Sequence, residues 1–170
     1  MKAFNLDGFE FINTATQNML EERVVADLTP PVPRSQRNVS AAQERPRDVV
    51  NRPSTFSHFV LNLPASALTF LRAFVGIYRN CQHLFKPNTS VNLPLIHVYC
   101  FNSQAVGMEA SKEICGLISQ QLEHDMSAAD NPDDCEGAVS IFDVRDVSPN
   151  KRMYCATFRL PASVAFMDIE

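Results

Sequence analysis

The sequence predicts an α/β fold with a mostly parallel sheet that ends in a C-terminal antiparallel hairpin. Segments typical of strands and of helices alternate along most of the chain, which favours parallel strands joined by helices. Residues 93–101 are almost continuously apolar, as expected of a strand covered on both faces. The last two strand-like segments are joined by residues 148–152 alone, a connection that is short enough only for a hairpin.

The composition is that of one domain spanning residues 1–170. The chain is 45% hydrophobic and carries a formal net charge of -4, which argues against a strongly basic nucleic-acid binder. The five cysteines form no C-x-x-C pair, and the four histidines are not at metal-ligand spacing, so we expect no bound metal. Every apolar run stops well short of the ~20 residues that cross a bilayer, so no membrane span is expected.

The chain begins with a predicted strand, turn and helix. Residues 2–5 are strand-like, and Asp7-Gly8 is a turn pair, because glycine tolerates a positive φ and aspartate bonds to nearby backbone. A weak helical pattern follows over residues 9–23. Residues 24–54 then combine many prolines and arginines with almost no aliphatic periodicity, which predicts a long, disordered, mildly basic loop.

The central segment predicts two strand-then-helix units. Residues 56–62 are rich in β-branched and aromatic side chains, which favour a strand. From residue 65, apolar positions recur at helical spacing as far as Tyr78, and either Asn62 or Ser66 is the candidate N-cap. The apolar strand at 93–101 precedes an amphipathic helix over residues 106–122.

The final segment predicts a loop and a hairpin. Residues 123–136 hold six acidic residues and no Lys or Arg, as in a solvated surface loop. Strands over residues 138–147 and 153–161 then enclose a tip that contains Asn150 and Lys151.

Three turns are candidates for ligand contact, because ligands gather where parallel strands end. The Asp7 carboxylate suits an exocyclic amine such as that of adenine and Gly8 allows close approach, although a plain Asp-Gly turn explains both. The turn Asn62-Leu63-Pro64 directs carbonyls and an amide outward and can read a base edge, or it is an Asn-capped helix start. Lys151 and Arg152 at the hairpin tip suit phosphate, or they are simply solvated.

Four motifs, in order, resemble the C-terminal half of the eukaryotic and archaeal tRNA (guanine(37)-N1)-methyltransferases. They are FNLDG at 4–8, HFVLNLPA at 58–65, LPLIHVYCF at 93–101 and VSPNK at 147–151. The resemblance implies a partial Rossmann-like methyltransferase sheet that binds S-adenosylmethionine and acts on tRNA. A monomer is expected, in the mitochondrial matrix, nucleus or cytoplasm.

The resemblance also implies roles for individual residues. Asp7 and Gly8 would contact the adenosine part of the methyl donor, and Asn62 would lie between the donor and the target guanine. Pro64, in the same turn, would border the guanine. Asn150 and Lys151 would border the tRNA side of the pocket. The catalytic residues are expected upstream of the matched segment, so none is assigned here.

Features that this family places before the matched segment are not found in the sequence. No Gly-rich turn follows a first strand, and no acidic strand end is available for the donor's ribose. We therefore expect the first two strands of the sheet to be absent, residues 1–23 to be poorly docked, and the chain alone to be inactive. The alternatives are a non-catalytic RNA- or protein-binding fragment and a methyltransferase acting on another base, such as adenine.

Overall fold

A computed structural model describes residues 3–22, 25–29, 47–51, 53–87, 89–102, 107–149 and 151–168. Its α-helices are α1 (Gly8–Glu21), α2 (Thr89–Asn92), α3 (Met108–Leu122) and α4 (Ala162–Ala165), and two 3₁₀ helices cover Ala67–Phe74 and Gln82–Phe85. Its strands are β1 (Val25–Asp27), β2 (Val49–Asn51), β3 (His58–Leu61), β4 (Leu95–Asn102), β5 (Ser127–Ala128), β6 (Ala138–Ser148) and β7 (Lys151–Arg159).

The main sheet has the strand order β3-β4-β7-β6-β5. β3 pairs with β4 and β5 with β6 in parallel, whereas β7 is antiparallel to both of its neighbours. Four of the five strands therefore run in one direction. The mostly parallel sheet with a C-terminal hairpin, predicted from the sequence, is confirmed.

The helices cover one face of this sheet. Residues alternate along β4, so that Ile96 and Val98 are fully buried while His97 and Tyr99 are half-buried. The buried side packs in one core with α3 and the Ala67–Phe74 helix. On the other side, which we call the open face, the described residues leave Val60 66% and Phe142 69% exposed. The prediction that both faces of the 93–101 strand are covered holds on one face only in the described part of the chain.

The N-terminal segment differs from the prediction in two ways. Residues 3–5 form no strand, and residues 1 and 2 lie outside the described residues. α1 is formed as predicted, but it is not poorly docked, because Ile12 is only 5% exposed and the helix packs on the Ala67–Phe74 helix. Apolar burial of α1 does not need a strand before it.

The helix predicted from residue 65 is a 3₁₀ helix over Ala67–Phe74, followed by turns. Its hydrogen bonds span three residues, as in Thr69 N to Ser66 O at 3.0 Å and Val75 N to Arg72 O at 3.3 Å. Ser66 occupies the N-cap position, but its side chain makes no capping hydrogen bond. A tighter helix still presents Leu71 and Phe74 to the core, since residues three apart share a face.

Both predicted loops contain strands that the sequence did not reveal. The described ends of the 24–54 segment pair as the antiparallel ribbon β1–β2, with Leu28 N donating to Asp48 O at 2.7 Å. Residues 30–46 lie outside the described residues, so disorder there stays a prediction. In the acidic segment, β5 adds two residues to the sheet edge beside β6.

Candidate functional site

A groove with a volume of about 570 Å³ lies between the start of α1 and the outer strand β3. It is lined by three predicted ligand residues, Asp7, Gly8 and Asn62, although about 55 residues separate the first two from the third. Much of the remaining lining is apolar and includes the aromatic residues Phe11, Phe56 and Phe70. The fold thus brings together two of the three turns that the sequence singled out.

Asp7 is the N-cap of α1. Its Oδ1 accepts a hydrogen bond from Phe9 N at 2.9 Å, and its backbone oxygen accepts one from Phe11 N at 2.7 Å. A plain Asp-Gly turn that begins a helix therefore accounts for one of the two carboxylate oxygens. The second oxygen, Oδ2, has no hydrogen-bond partner among the described residues, and it is the atom that remains for a ligand.

Gly8 packs closely against the Phe70 ring. A Cβ built on Gly8 would lie 2.8 Å from Cε2 of Phe70, closer than carbon atoms approach each other. The group that comes close to this glycine is therefore the Phe70 ring. A further approach by a ligand stays a prediction.

Asn62 lies in an exposed turn immediately after β3. The carbonyl of Leu63 accepts hydrogen bonds from Ser66 N at 2.9 Å and Ala67 N at 2.8 Å, which fixes the turn. The Asn62 amide makes no hydrogen bond within the described residues, so it does not cap the following helix. Pro64 is half-buried in the same turn and does not line the groove.

The hairpin tip and Asn62 lie at the same end of the strands. Asn62 follows β3, the tip follows β6, and these two strands run in the same direction. Two inter-strand spacings, about 10 Å, separate β3 from β7. Lys151 Nζ lies 4.1 Å from the centre of the Phe101 ring, a cation–π contact. Asn150 lies outside the described residues.

Arg152 does not serve as a second cation for phosphate at this tip. Its Nη1 donates to Asp143 Oδ2 at 2.8 Å, and its Nε donates to Asp146 Oδ1 at 2.6 Å. Two carboxylates therefore neutralise its charge. Lys151 alone remains of the two predicted phosphate contacts.

A hydrogen-bonded row of side chains on the open face was missed by sequence reasoning. His58 Nδ1 lies 3.0 Å from His97 Nε2, and His97 Nδ1 lies 3.0 Å from Thr157 Oγ1. The two rings are nearly coplanar, at 13°, with centroids 5.3 Å apart, so they meet edge to edge. Burial, and secondarily the charge of His58, lowers the pKa of His97. Both histidines lie on open-face positions of adjacent parallel strands, a pairing that the register between β3 and β4 sets.

Within the described ranges, no group of three or more His, Cys, Asp or Glu side chains is arranged to hold a metal ion. No helix formed by those residues combines the length and apolarity that a membrane span requires.

The chain is similar to curated proteins over nearly its whole length. A Phaeosphaeria nodorum protein named tRNA (guanine(37)-N(1))-methyltransferase is 41% identical over 174 residues, covering 97% of this chain and 38% of that protein. Proteins of the same name are 44% identical in Ajellomyces capsulatus (98% of this chain, 35% of the relative) and 33% identical in Saccharomyces cerevisiae (96% and 34%). No family model and no solved structure matches. The chain thus spans little more than a third of the length of these curated relatives, and over nearly all of its own length it is similar to proteins named tRNA (guanine(37)-N(1))-methyltransferase.

Proposed function

We propose that this chain forms part of an S-adenosylmethionine-dependent enzyme that methylates N1 of guanine 37 in tRNA. The observation that carries the proposal is the convergence of Asp7, Gly8 and Asn62 on one groove at a strand end. Relatives named for this activity, at 41% and 44% identity, support the choice of reaction.

The groove offers groups that suit the methyl donor and a purine. Asp7 Oδ2 can accept a hydrogen bond from an exocyclic amine, and the aromatic side chains of Phe11 and Phe56 offer apolar surface to a flat ring. The Asn62 amide can both donate to and accept from the edge of guanine. When bound, the donor would supply an electrophilic methyl group, while these residues hold and orient the two reactants.

The described residues do not complete the chemistry of the reaction. Guanine N1 keeps its proton at neutral pH, so the reaction needs a base and an electropositive partner for the guanine oxygen. The two titratable residues among those lining the groove are Asp7, which caps α1, and His58, which is bonded to His97. We therefore propose that the base and its partner come from outside the described residues, and that the described residues alone do not transfer the methyl group.

A chimera tests this function. The matched segment of the Phaeosphaeria nodorum relative is replaced by this chain, and methyl transfer is measured on tRNA transcripts with guanine or adenine at position 37. We expect transfer to guanine only. Asn62→Ala and Asp7→Asn, of which the second retains the N-cap, should each lower kcat/KM by roughly 10- to 100-fold, since each removes about one polar ligand contact.

Gln120→Ala, an amide deletion on the exposed side of α3, is the matched control and should retain full activity. A folded chimera without transfer would favour the non-catalytic alternative. Equal transfer to adenine would favour a methyltransferase acting on another base.

A further inference from the structure

Strand pairing fixes which side chains of β6 and β7 lie on the open face. Successive residues of a strand point to opposite faces, and directly paired residues share a face. Phe142 pairs with Cys155. Arg145 pairs with Met153, and Tyr154, between these two residues of β7, is buried in the core. Phe142 and Arg145 therefore lie on the open face.

The described strands of the main sheet place cations, and no carboxylate, on this face. Their two acidic residues, Asp143 and Asp146, lie on the opposite face, where both bond to Arg152. Arg145 is exposed, and neither Arg145 nor Lys151 forms an ion pair within the described ranges. A chain with a net charge of -4 thus has one face that is locally positive.

An exposed aromatic ring lies near these two cations. Phe142 is 69% exposed. Its partner Cys155 lies four residues from Lys151 along β7, or about 13 Å. A ring of this kind can stack on a nucleobase while nearby cations meet the phosphates, and only an unpaired nucleobase offers its face. An apolar polypeptide would instead bury two cations without counter-charges, so the face favours RNA.

We infer that the open face binds an unpaired segment of RNA, with a nucleobase stacked on Phe142 and phosphates bound by Arg145 and Lys151. Phe101 is a positioning residue, because its ring holds Lys151 Nζ on this face at 4.1 Å. The contact is separate from the groove, since three inter-strand spacings, about 14 Å, lie between β6 and β3. The inference deepens the proposed function and rests on it for the choice of tRNA as the RNA.

Fluorescence anisotropy tests the stacking contact. A labelled single-stranded RNA of about seven nucleotides is titrated with the full chain, without methyl donor. We expect saturable binding that is tighter by about fivefold or more than binding to a duplex of the same sequence. Phe142→Leu keeps an exposed apolar side chain but should weaken binding roughly 5- to 100-fold, because stacking is lost. Phe9→Leu, at a 44% exposed aromatic position on α1, is the matched control and should bind as the wild type does.

The two cations should give a separate signature in the salt dependence of binding. Arg145→Gln and Lys151→Gln should each weaken binding. Each should also reduce the slope of log affinity against log salt by about 0.7, the value for one phosphate contact with a single strand. Lys112→Gln, at an exposed position on α3, is the matched control and should keep the wild-type slope.

A tryptophan can report the stacking directly, because the chain has none of its own. Phe142→Trp should bind RNA as the wild type does, and the stacked nucleobase should quench its fluorescence. Phe9→Trp is the control and should not be quenched. These two variants decide the inference if Phe142→Leu does not fold.

Several results would overturn the inference. These are the absence of RNA binding, equal affinity for the duplex, wild-type affinity in Phe142→Leu and an unquenched tryptophan at position 142. Displacement of the RNA by the unmatched part of the Phaeosphaeria nodorum relative would assign the face to a protein partner instead. Because no methyl transfer is measured, each of these results leaves the proposed function standing. Conversely, a chimera that fails to transfer a methyl group leaves RNA binding by this face intact.

Discussion

At the residue scale, the Phe70 ring occupies the space in which another residue would carry a side chain at Gly8. Gly8→Ala should lower the free energy of unfolding by about 1–3 kcal/mol through overpacking, offset by up to ~1 kcal/mol from the better helix propensity of alanine. Urea unfolding followed by circular dichroism measures the change. Phe70→Leu in the same chain should relieve most of the loss, which a double-mutant cycle detects.

Gly116 provides the matched control for this substitution. It also lies in a helix, but nothing lies within 4 Å of a Cβ built there. Gly116→Ala should therefore stabilise the chain by up to ~1 kcal/mol. Equal effects at the two glycines would contradict the packing role of Gly8.

The sequence singled out individual turns where one turn contained the whole signal, and the ligand roles of their residues stay predictions. Asp7 and Asn62 were identified from their own neighbours, and the fold places both on one groove. Arg152 and the His58–His97 contact were not predicted, because their partners lie on other strands. Such contacts depend on register, which a single sequence does not reveal.

At the element scale, the His58–His97 contact joins β3 to the rest of the sheet. The folded chain lowers the pKa of His97 from its ordinary value of 6.5, so the native state binds fewer protons than the unfolded state below that pH. Stability should be full above about pH 6.5 and should decline as the pH falls below it. Two protonated rings could not keep the contact, since neither would offer an acceptor.

Urea midpoints at pH 7.5 and 5.5 measure this dependence. His97→Gln should make the midpoint less sensitive to pH, because it removes the titrating group. His83→Gln, at an exposed position in the Gln82–Phe85 helix, is the matched control and should keep the wild-type pH dependence. If the urea midpoint of His97→Gln depended on pH as strongly as that of the wild type, His97 would not be the titrating group.

Hydrogen bonds from Arg159 attach the acidic loop, residues 123–136, to the sheet. The loop therefore has a structural role as well as the surface role that its composition suggests. Arg159 on β7 donates from Nη2 to Asp133 Oδ2 at 3.1 Å and from Nη1 to the Leu93 carbonyl at 2.6 Å. Hydrogen bonding to Arg159 holds the pKa of Asp133 below its ordinary value. The guanidinium thus joins the loop and β7 to Leu93, which lies two residues before β4.

Arg159→Lys should lower the free energy of unfolding by about 1–3 kcal/mol, because lysine keeps the charge but cannot reproduce the planar fork. Thermal unfolding measures the loss. Arg72→Lys is the control, since Arg72 meets Glu123 at 3.9 Å with 71% of its side chain exposed, and should change stability by less than ~0.5 kcal/mol. Similar losses at both arginines would contradict the fastening role.

The type and boundaries of elements were predicted unevenly. β4 was predicted from an almost continuous apolar run, α3 from an amphipathic pattern and the hairpin from its short connection, and the structure confirms all three. The 3₁₀ winding of Ala67–Phe74 was not predicted, because apolar residues recurring every three or four positions fit both kinds of helix. β5 is too short, at two residues, for any pattern to show.

At the scale of the whole molecule, the apolar pattern of β4 predicted helices on both faces of the sheet, and the described residues supply them on one. Tyr99 and Phe101, which favoured a second covering layer, lie half-exposed on the open face. The sequence thus correctly predicted a strand at this position. It could not show which other segments cover that strand.

The position of α1 decides whether the chain unfolds as one unit. Ile12 is 5% exposed, and it belongs to the same core as Leu71 of the adjacent 3₁₀ helix and Ile118 of α3. Ile12→Ala should therefore lower the free energy of global unfolding by about 2–4 kcal/mol, as a buried large-to-small change does.

Because the chain has no tryptophan and Tyr78 is fully buried in this core, tyrosine fluorescence monitors the core while far-ultraviolet circular dichroism monitors the helices. In Ile12→Ala both signals should shift together to lower urea, as they should in the matched variant Ile118→Ala. If α1 instead unfolded by itself, the tyrosine midpoint would stay at the wild-type value in Ile12→Ala and fall only in Ile118→Ala, and the expectation of a poorly docked N-terminal segment would be restored.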